Sequence, residues 1–190
     1  YQPLLDYLAA TPHHVVRSRH NLGHRSPWLS GTVQRVAHGR HFVISDPDVV
    51  PDPMCPLNAA EHLRWILDRF PDVDKVGLGL RIDDLPTTYP LAAAVQEWEA
   101  RFWADEIEPG LFRADVDTTF ALYRPLDRRH DESRALRTGP PFVARHLPWY
   151  TDPEQLTEED RHYREHADPL LANWDRDEIP RWKRRWLDQR

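Results

Sequence analysis

Apolar residues along the chain recur at two spacings, one typical of helices and one typical of strands. Helical spacing is found over residues 1–10, 27–37, 58–70 and 90–107. Extended apolar runs are found over residues 14–17, 41–45, 75–82 and 111–123, the last as one strand or a bent pair. Because helices alternate with strands, the pattern predicts an α/β fold whose mixed, mainly parallel sheet is flanked by helices.

The segment after residue 123 has no long periodic run, which predicts loop and short helix. Its last part places Trp182 and Trp186 four residues apart among Arg and Lys side chains. We expect one main domain over residues 1–150 and a helical extension over residues 151–190 that packs on it. The alternative for the extension is a basic aromatic helix that lies on an anionic membrane surface.

Composition and charge narrow the class of protein. The 190 residues carry a net charge of −6, and nucleic-acid binding depends on clustered Lys and Arg, so we expect no nucleic-acid partner. Every apolar run is far shorter than the roughly 20 residues that cross a bilayer. The single cysteine, Cys55, forms no disulfide within the chain, and no basic and apolar leader opens the sequence. These features predict a cytoplasmic protein.

Two acidic residues directly follow the apolar run at 41–45, in Asp46-Pro47-Asp48. A buried parallel strand delivers polar residues to its carboxyl end, where ligands of α/β proteins bind. Two carboxylates separated by one residue can face a single hard cation that keeps positions open for substrate phosphates. The alternative is a plain turn, because Asp and Pro are common turn residues. The position behind a predicted strand favours a site for a divalent cation.

Three segments carry a resemblance to a known family. They are residues 42–51 (FVISDPDVVP), 75–86 (KVGLGLRIDDLP) and 117–124 (DTTFALYR). In these segments the chain resembles bacterial glycosyltransferases of the GT-A type related to family two, with a likeness that extends over residues 1–150. The resemblance implies a GT-A fold. It also implies that Asp46 and Asp48 hold Mn²⁺ or Mg²⁺ against the diphosphate of a UDP- or GDP-sugar donor.

The same resemblance implies functional roles for further residues. The segment Asn21-Leu22-Gly23 is similar to a turn that lies near the donor, with a plain loop turn as its alternative. His146 resembles a late histidine that adds a metal ligand, and imidazole beside carboxylates suits Mn²⁺. The alternative for His146 is a packed or capping residue. An inverting transferase that works by direct displacement needs a carboxylate to accept the proton of the acceptor hydroxyl, and Asp117 is similar in position to that base.

Other residues compete for the catalytic and acceptor roles. Asp83 and Asp84 follow the apolar run 75–82, and adjacent carboxylates repel each other, which raises one pKa. Their alternative is a turn or helix-start pair. Glycines 77 and 79 within the run predict close approach by another backbone or a ligand. Four residues are candidates for contact with the acceptor, with aromatic core or a solvated carboxylate as their alternatives: Trp98, Glu99, Trp103 and Trp149.

The chain departs from the family that it resembles at its beginning. Those proteins begin with a strand that binds the nucleotide base, whereas residues 1–10 already predict a helix. We therefore expect a sheet without the usual first strand, weak selectivity for the base, and a sheet edge that is unpaired or pairs with a second copy to form a homo-oligomer. Two other functions stay open: a non-catalytic sugar-binding or interaction module, and a metal-dependent phosphohydrolase that acts on nucleotide sugars.

Overall fold

The described part of the chain forms an α/β fold with one mixed, open sheet flanked by helices. The structure is a computed structural model, and it describes residues 1–117, 119–125 and 133–167 together with Trp174, Ile179 and Arg184. The α/β class predicted from the sequence is confirmed. Among the helices that the structure describes, none is long and apolar enough to cross a bilayer.

Helices, strands and short 3₁₀ turns follow one another along these residues. The helices are α1 (Gln2–Ala10), α2 (Ser26–Leu29), α3 (Thr32–Ala37), α4 (Ala59–Arg69), α5 (Ala92–Ala100) and α6 (Glu158–His166). The strands are β1 (Phe42–Ile44), β2 (Val49–Pro51), β3 (Lys75–Leu80), β4 (Glu106–Glu108), β5 (Leu111–Arg113), β6 (Ala121–Tyr123) and β7 (Ala135–His146). The 3₁₀ turns are Gly23–Arg25, Arg101–Trp103 and Leu147–Tyr150.

Helix α4 shows how the apolar spacing is used. Leu63, Ile66 and Leu67 lie on one face of the helix and are buried in the main core. Burial of each such side chain stabilises the fold by roughly 1.5–3 kcal/mol. Asn58 occupies the N-cap position without a side-chain cap hydrogen bond, and the helix ends before Pro71 because the residue before a proline disfavours helical geometry.

The strands pair in the order β1-β6-β3-β7-β5-β4, and β2 pairs with the second half of β7. Within the described residues only β3 and β7 run parallel, and the other pairings are antiparallel. The expectation of a mainly parallel sheet is therefore wrong, and β1 is an edge strand rather than a buried parallel one. Short connections are part of the reason: the Pro109-Gly110 turn joins β4 to β5, whereas parallel strands need a crossover of roughly a dozen residues.

The longest strand, β7, falls in the segment predicted to be loop and short helix, so that prediction is wrong. It lies between β3 and β5, and its first five residues are buried. Its Gly139-Pro140-Pro141 run is not typical of a central strand, because proline has no N–H for the ladder. The run is accommodated at a bulge, since Leu78 of β3 pairs with Thr138 while the next residue, Gly79, pairs with Val143. The intervening residues of β7 stand outside the β3 ladder.

The glycines of β3 are explained by close approach. A Cβ on Gly79 would lie 2.5 Å from the carbonyl oxygen of Thr138 and 2.7 Å from the ring of Trp103. A Cβ on Gly77 would lie 3.1 Å from Oγ1 of Thr119. The predicted approach by another backbone is confirmed at Gly79, where a side chain would force β3 and β7 apart.

Two further local predictions are wrong, and a third is refined. Residues 14–17 form no strand, because Val16 is 49% exposed and no described strand pairs with this segment. The helix predicted over residues 90–107 ends at Ala100, where a 3₁₀ turn leads into β4. The run over residues 111–123 divides into β5 and β6, which pair with different neighbours. Tertiary pairing therefore overrides the local preference in these segments.

Helix α6 is the described helix of the predicted C-terminal extension. It begins with a capping box, in which the amide of Asp160 donates to Oγ1 of Thr157 at 3.1 Å. None of the helix residues is buried. Farther along the chain, Trp174 is buried in the main core. The predicted basic aromatic helix has its tryptophans, Trp182 and Trp186, outside the described residues, so its packing stays a prediction.

Candidate functional site

A cavity of about 1180 Å³ lies between the 3₁₀ turn after residue 22, the β1–β2 loop, α5, the end of β7 and α6. Nine of the residues predicted from the sequence line it: Asn21, Gly23, Asp46, Asp48, Trp98, Glu99, Asp117, His146 and Trp149. The other three, Asp83, Asp84 and Trp103, do not. The metal, donor and base candidates therefore share one cavity, whereas the rival acidic pair lies elsewhere.

The pairing of β2 with β7 positions Asp48 beside His146. Val49 is in register with His146, and the amide of Leu147 donates to the carbonyl of Asp48 at 2.8 Å. Because Asp48 immediately precedes β2 and His146 ends β7, the two side chains meet at the same end of this two-strand ladder. Nε2 of His146 lies 3.5 Å from Oδ2 of Asp48. The contact joins residues that are 98 positions apart in the sequence.

The electrostatics of this pair keep Asp48 ionised. Burial works to raise the pKa of Asp48, but the hydrogen bond and the charge of His146 outweigh it and hold the pKa below its usual value. Two ligands that share one cation, each at about 2.1 Å, lie roughly 3–3.5 Å apart, and the separation of the Asp48 and His146 atoms falls at the upper end of that range. The spacing of the pair thus fits two ligands of one cation, which would have to take the place of the proton that His146 shares with Asp48.

Asp46 lies at the start of the loop that joins β1 to β2. Its carbonyl accepts hydrogen bonds from the amide of Val49 at 3.2 Å and from Oγ of Ser45 at 3.1 Å, which bends the loop toward the cavity. Within the described residues, no group of three or more His, Cys, Asp or Glu side chains is placed to hold a metal ion. The protein thus offers a carboxylate–imidazole pair, with Asp46 in the same wall. Mg²⁺ usually completes such sites with water and substrate phosphates.

The turn at Asn21 lines the same cavity as the β1–β2 loop. Oδ1 of Asn21 accepts a hydrogen bond from the amide of Gly23 at 3.0 Å, and Gly23 has a φ of 60°, a conformation that glycine adopts at little cost. The 3₁₀ turn that starts at Gly23 follows directly. The segment is a tight Asn-x-Gly turn, and both residues line the cavity. Its role toward a donor stays a prediction.

Asp117 lies in the loop before β6 and is exposed at the cavity wall. The hydroxyl of Tyr123 donates to the carbonyl of Asp117 at 2.8 Å, which fixes the backbone of this loop. Thr119, two residues on, is 4% exposed, and its Oγ1 has no hydrogen-bond partner among the described residues. An exposed carboxylate on a held backbone has the access that a proton acceptor needs.

Two buried nitrogens beside the Asp48–His146 pair also lack hydrogen-bond partners in the described part of the chain. They are Nδ1 of His146 and Nε1 of Trp149, whose rings are 4.8 Å apart between centroids. Buried polar atoms are nearly always bonded in native proteins, and exceptions occur at sites that bind water, ions or ligands. The end of β7 and the 3₁₀ turn that follows it thus each add one such polar atom to the cavity wall.

Asp83 and Asp84, the rival catalytic candidates, are held by arginines and a tyrosine. Arg81 Nε donates to Asp83 at 2.8 Å, and Arg145 Nη2 donates to Asp84 at 2.6 Å. The hydroxyl of Tyr150 donates to the other oxygen of Asp84 at 2.6 Å. Burial and this bond to Asp84 raise the pKa of Tyr150. The two carboxylates therefore belong to a charge network outside the cavity.

Sequence reasoning missed the centre of this network, Asp52. Its side chain is 2% exposed and Oδ2 accepts from Arg81 at 3.2 Å and from Arg145 at 2.9 Å. Together with Asp84, these residues form a closed ring of alternating charges, which we call the Asp52 ring: Asp52, Arg81, Asp84 and Arg145. Asp52 lies four positions after the predicted ligand Asp48 and directly follows β2. Its position in the sequence gives no sign of a partner 93 residues away.

A second missed residue, Arg137, forms a buried ion pair with Glu99. The side chains are 4% and 6% exposed, and Arg137 Nη1 lies 3.2 Å from Glu99 Oε2. Both residues line the cavity. No apolar run surrounds Arg137 in the sequence, so nothing local marked it as buried; once it is buried, an arginine requires a partner. Glu99 is not the solvated carboxylate that its helical position favoured.

The tryptophans have different surroundings. The guanidinium of Arg101 covers one face of Trp98, 3.6 Å from the ring centroid. Trp103 packs edge-on against Phe112, with centroids 5.1 Å apart, and its ring fills the space above Gly79. Trp103 therefore has a packing role in the described structure. Trp98 lines the cavity with one ring face already occupied.

Comparisons with known proteins return no relatives: no family model matches the chain, and no curated protein and no solved structure matches it significantly. The resemblance to GT-A glycosyltransferases rests on the three sequence segments alone. Function has to be argued from the chemistry of the cavity.

Proposed function

We propose that the protein is a metal-dependent glycosyltransferase that moves a sugar from a nucleotide-diphospho-sugar to an acceptor by direct displacement. The observation that carries this proposal is the Asp48–His146 pair, which lies with Asp46 and Asp117 in one large cavity. The likeness to GT-A enzymes in residues 42–51, 75–86 and 117–124 supports the same assignment.

The acid-rich wall of the cavity supports a role for a divalent cation. Asp46, Asp48, Asp115 and Asp117 line the cavity, whereas the charge of Glu99 is balanced by Arg137. A diphosphate entering this wall would meet like charges, whose repulsion at close range costs free energy. A cation bound by Asp48, His146 and Asp46 would offset that repulsion and stabilise the charge that develops on the departing nucleotide.

Asp117 is assigned as the base. The oxygen of the acceptor hydroxyl forms a bond to the anomeric carbon while the bond from that carbon to the diphosphate oxygen breaks. The diphosphate leaves with the bonding electron pair, and the proton of the hydroxyl passes to the carboxylate of Asp117. Asp117 suits this step because it is exposed to the cavity and its backbone is fixed by Tyr123. Inversion at the anomeric carbon follows from this single displacement.

The test is calorimetric titration of the protein with UDP, GDP and their common hexose conjugates, each with and without Mn²⁺. We expect binding that depends on Mn²⁺, and we expect Asp48→Asn to weaken the Mn²⁺-dependent binding at least about tenfold, or roughly 1.4 kcal/mol. The matched control is Asp68→Asn, which removes an exposed carboxylate on α4. Full Mn²⁺ dependence in the Asp48 variant would contradict the proposal.

Product analysis separates the proposal from its alternatives. A transferase gives a new glycoside when an acceptor is present, whereas a phosphohydrolase releases nucleotide or sugar phosphate at the same rate without one. Binding without any turnover identifies the non-catalytic module. Asp117→Asn should retain Mn²⁺-dependent binding better than Asp48→Asn and lose transfer by a factor of about 10²–10⁴.

A further inference from the structure

The buried pair of Glu99 and Arg137 joins two elements of the cavity wall, α5 and β7. Both side chains are more than nine-tenths buried, yet both line the cavity. A buried ion pair is weak evidence for stability, since an apolar pair of similar size is often as stable. Because stability alone does not explain a buried ion pair in a cavity wall, we consider a role of this pair in binding a ligand.

The guanidinium of Arg137 is held in a fixed orientation. Nε donates to the carbonyl of Asp115 at 2.8 Å, Nη1 donates to Glu99, and the ring of Phe102 lies 3.9 Å from the guanidinium carbon. Nη2 forms no hydrogen bond within the described part of the chain. Since Arg137 lines the cavity, this fixed nitrogen is a donor available to a ligand.

The adjacent carboxylate supplies the complementary acceptor. An ionised carboxylate has acceptor sites for roughly four hydrogen bonds, so a carboxylate such as Glu99 can bond to a ligand hydroxyl in addition to its protein partners. The pair as a whole is neutral, and Asp115 and Asp117 line the same wall. Arg101 lines the cavity as well, so the charges near the pair have both signs. A ligand that can both donate to Glu99 and accept from Arg137 fits the pair better than an anion, which can only accept, and two neighbouring hydroxyls have this property.

We propose that Glu99 and Arg137 bind the hydroxyls of a neutral saccharide, which is the acceptor of the transferase proposed above. The identification of this saccharide as the acceptor rests on the proposed function, whereas the binding of a saccharide at this pair does not. The binding of a neutral saccharide can be measured without donor or metal. The competing explanation is that the pair only ties α5 to β7.

The experiment is saturation-transfer NMR in the absence of nucleotide and metal. The probes are the methyl glycosides of glucose, galactose and mannose, together with methyl glucuronide as the anionic counterpart. We expect the wild-type protein to bind at least one neutral glycoside in preference to the glucuronide. Arg137→Met should weaken that binding at least tenfold, because the fixed donor is lost.

Glu99→Gln gives the sharper readout. It leaves the charge of Arg137 unpaired, so we expect the preference to reverse toward the glucuronide, whose carboxylate replaces the missing partner. A purely structural pair predicts no such reversal. Asp68→Asn, on the exposed face of α4, is the control and should bind all probes as the wild type does.

The double variant Glu99→Gln/Arg137→Met guards against variants that fail to fold. It removes both charges together, so neither is left buried alone. We expect it to unfold at a temperature close to that of the wild type and to bind neither class of glycoside. The inference is overturned if the wild type binds no neutral glycoside, or if a folded variant binds with wild-type affinity and preference. Metal-dependent nucleotide binding without glycoside binding would overturn this inference and leave the proposed transferase intact.

Discussion

Two acidic pairs, Asp46/Asp48 and Asp83/Asp84, follow apolar runs in the same way, yet the fold treats them differently. Among the described residues, Asp48 has one basic ion-pair neighbour, the imidazole of His146 at 3.5 Å. Asp84 has two arginines and a tyrosine within hydrogen-bond reach or ion-pair distance. A carboxylate whose charge is already balanced by guanidinium groups has little to offer a cation. The comparison therefore separates a carboxylate that has room for the cation proposed above from a network that already contains its own positive charges.

The Asp52 ring also explains how the first pair is positioned. Asp52 directly follows β2, and Arg145 directly precedes His146 on β7. The amide of Asp52 donates to the carbonyl of Val143 at 2.9 Å, so the ring continues the β2–β7 ladder. Asp48 and His146 occupy the opposite end of that ladder. The ring fixes the register that brings the candidate metal ligands together.

The largest expected effect is on stability, from Asp52→Asn. The substitution leaves two arginines without their buried counter-charge, and because they are about 30% exposed, water recovers part of the loss. We expect the free energy of unfolding to fall by about 2–3 kcal/mol. Urea unfolding followed by tryptophan fluorescence measures it. The control is Asp68→Asn in an exposed pair on α4, which should cost no more than about 0.5 kcal/mol. Equal stabilities for the two variants would refute a structural role for the ring.

The pH dependence of stability is the next test. Burial alone would raise the pKa of Asp52, but the amide of Met54 and the charges of Arg81 and Arg145 outweigh it and hold the pKa below its usual value. A depressed pKa in the folded state stabilises the fold above the ordinary carboxyl value and loses that contribution as the pH falls through the folded value. The difference in unfolding free energy between wild type and Asp52→Asn should therefore shrink from about pH 6 to about pH 3. A constant difference would exclude this linkage.

On the other side of the comparison, His146→Gln tests whether imidazole joins the metal site. Glutamine keeps a hydrogen-bonding group of similar reach, but it is a poorer ligand for Mn²⁺ than imidazole. We expect Mn²⁺-dependent nucleotide binding to weaken about tenfold, or roughly 1.4 kcal/mol, with little change in stability. Titration calorimetry measures the affinity. An unchanged affinity would assign His146 to orienting Asp48 alone.

The sequence predicted the helices and short strands whose signals are local. Spacing alone identified α4 and β3, because each buries a continuous apolar face or run. It failed for β7, whose Gly139-Pro140-Pro141 run is tolerated only because the ladder with β3 is interrupted there. It also failed for strand direction, since direction is set by which distant strands pair. Neither a β-bulge nor the pairing of distant strands changes the local spacing of apolar residues, so neither can be predicted from it.

The candidate site divides in the same way. The Asp46-Pro47-Asp48 motif and the turn at Asn21 could be found because their residues are neighbours in the sequence. The partner of Arg137 on α5 could not be found, because it depends on where a helix packs against a strand. The same holds for Asp84, whose arginine partner is 61 residues away. Tertiary contacts decide whether a carboxylate is available to a ligand or is paired with an arginine in a salt bridge.

The smallest expected effect comes from Asp83→Asn, and it sharpens the comparison most directly. The Asp83 side chain is 74% exposed, and its one described ion pair is with Arg81. Arg81 keeps Asp52 and Asp84 as partners after the substitution, so the free energy of unfolding should change by less than about 0.5 kcal/mol. Because Asp83 lies outside the cavity, transfer activity and Mn²⁺-dependent nucleotide binding should both be retained. A loss of transfer with unchanged stability and nucleotide binding would instead move the base from Asp117 to Asp83, and with it the place where the acceptor hydroxyl meets the donor.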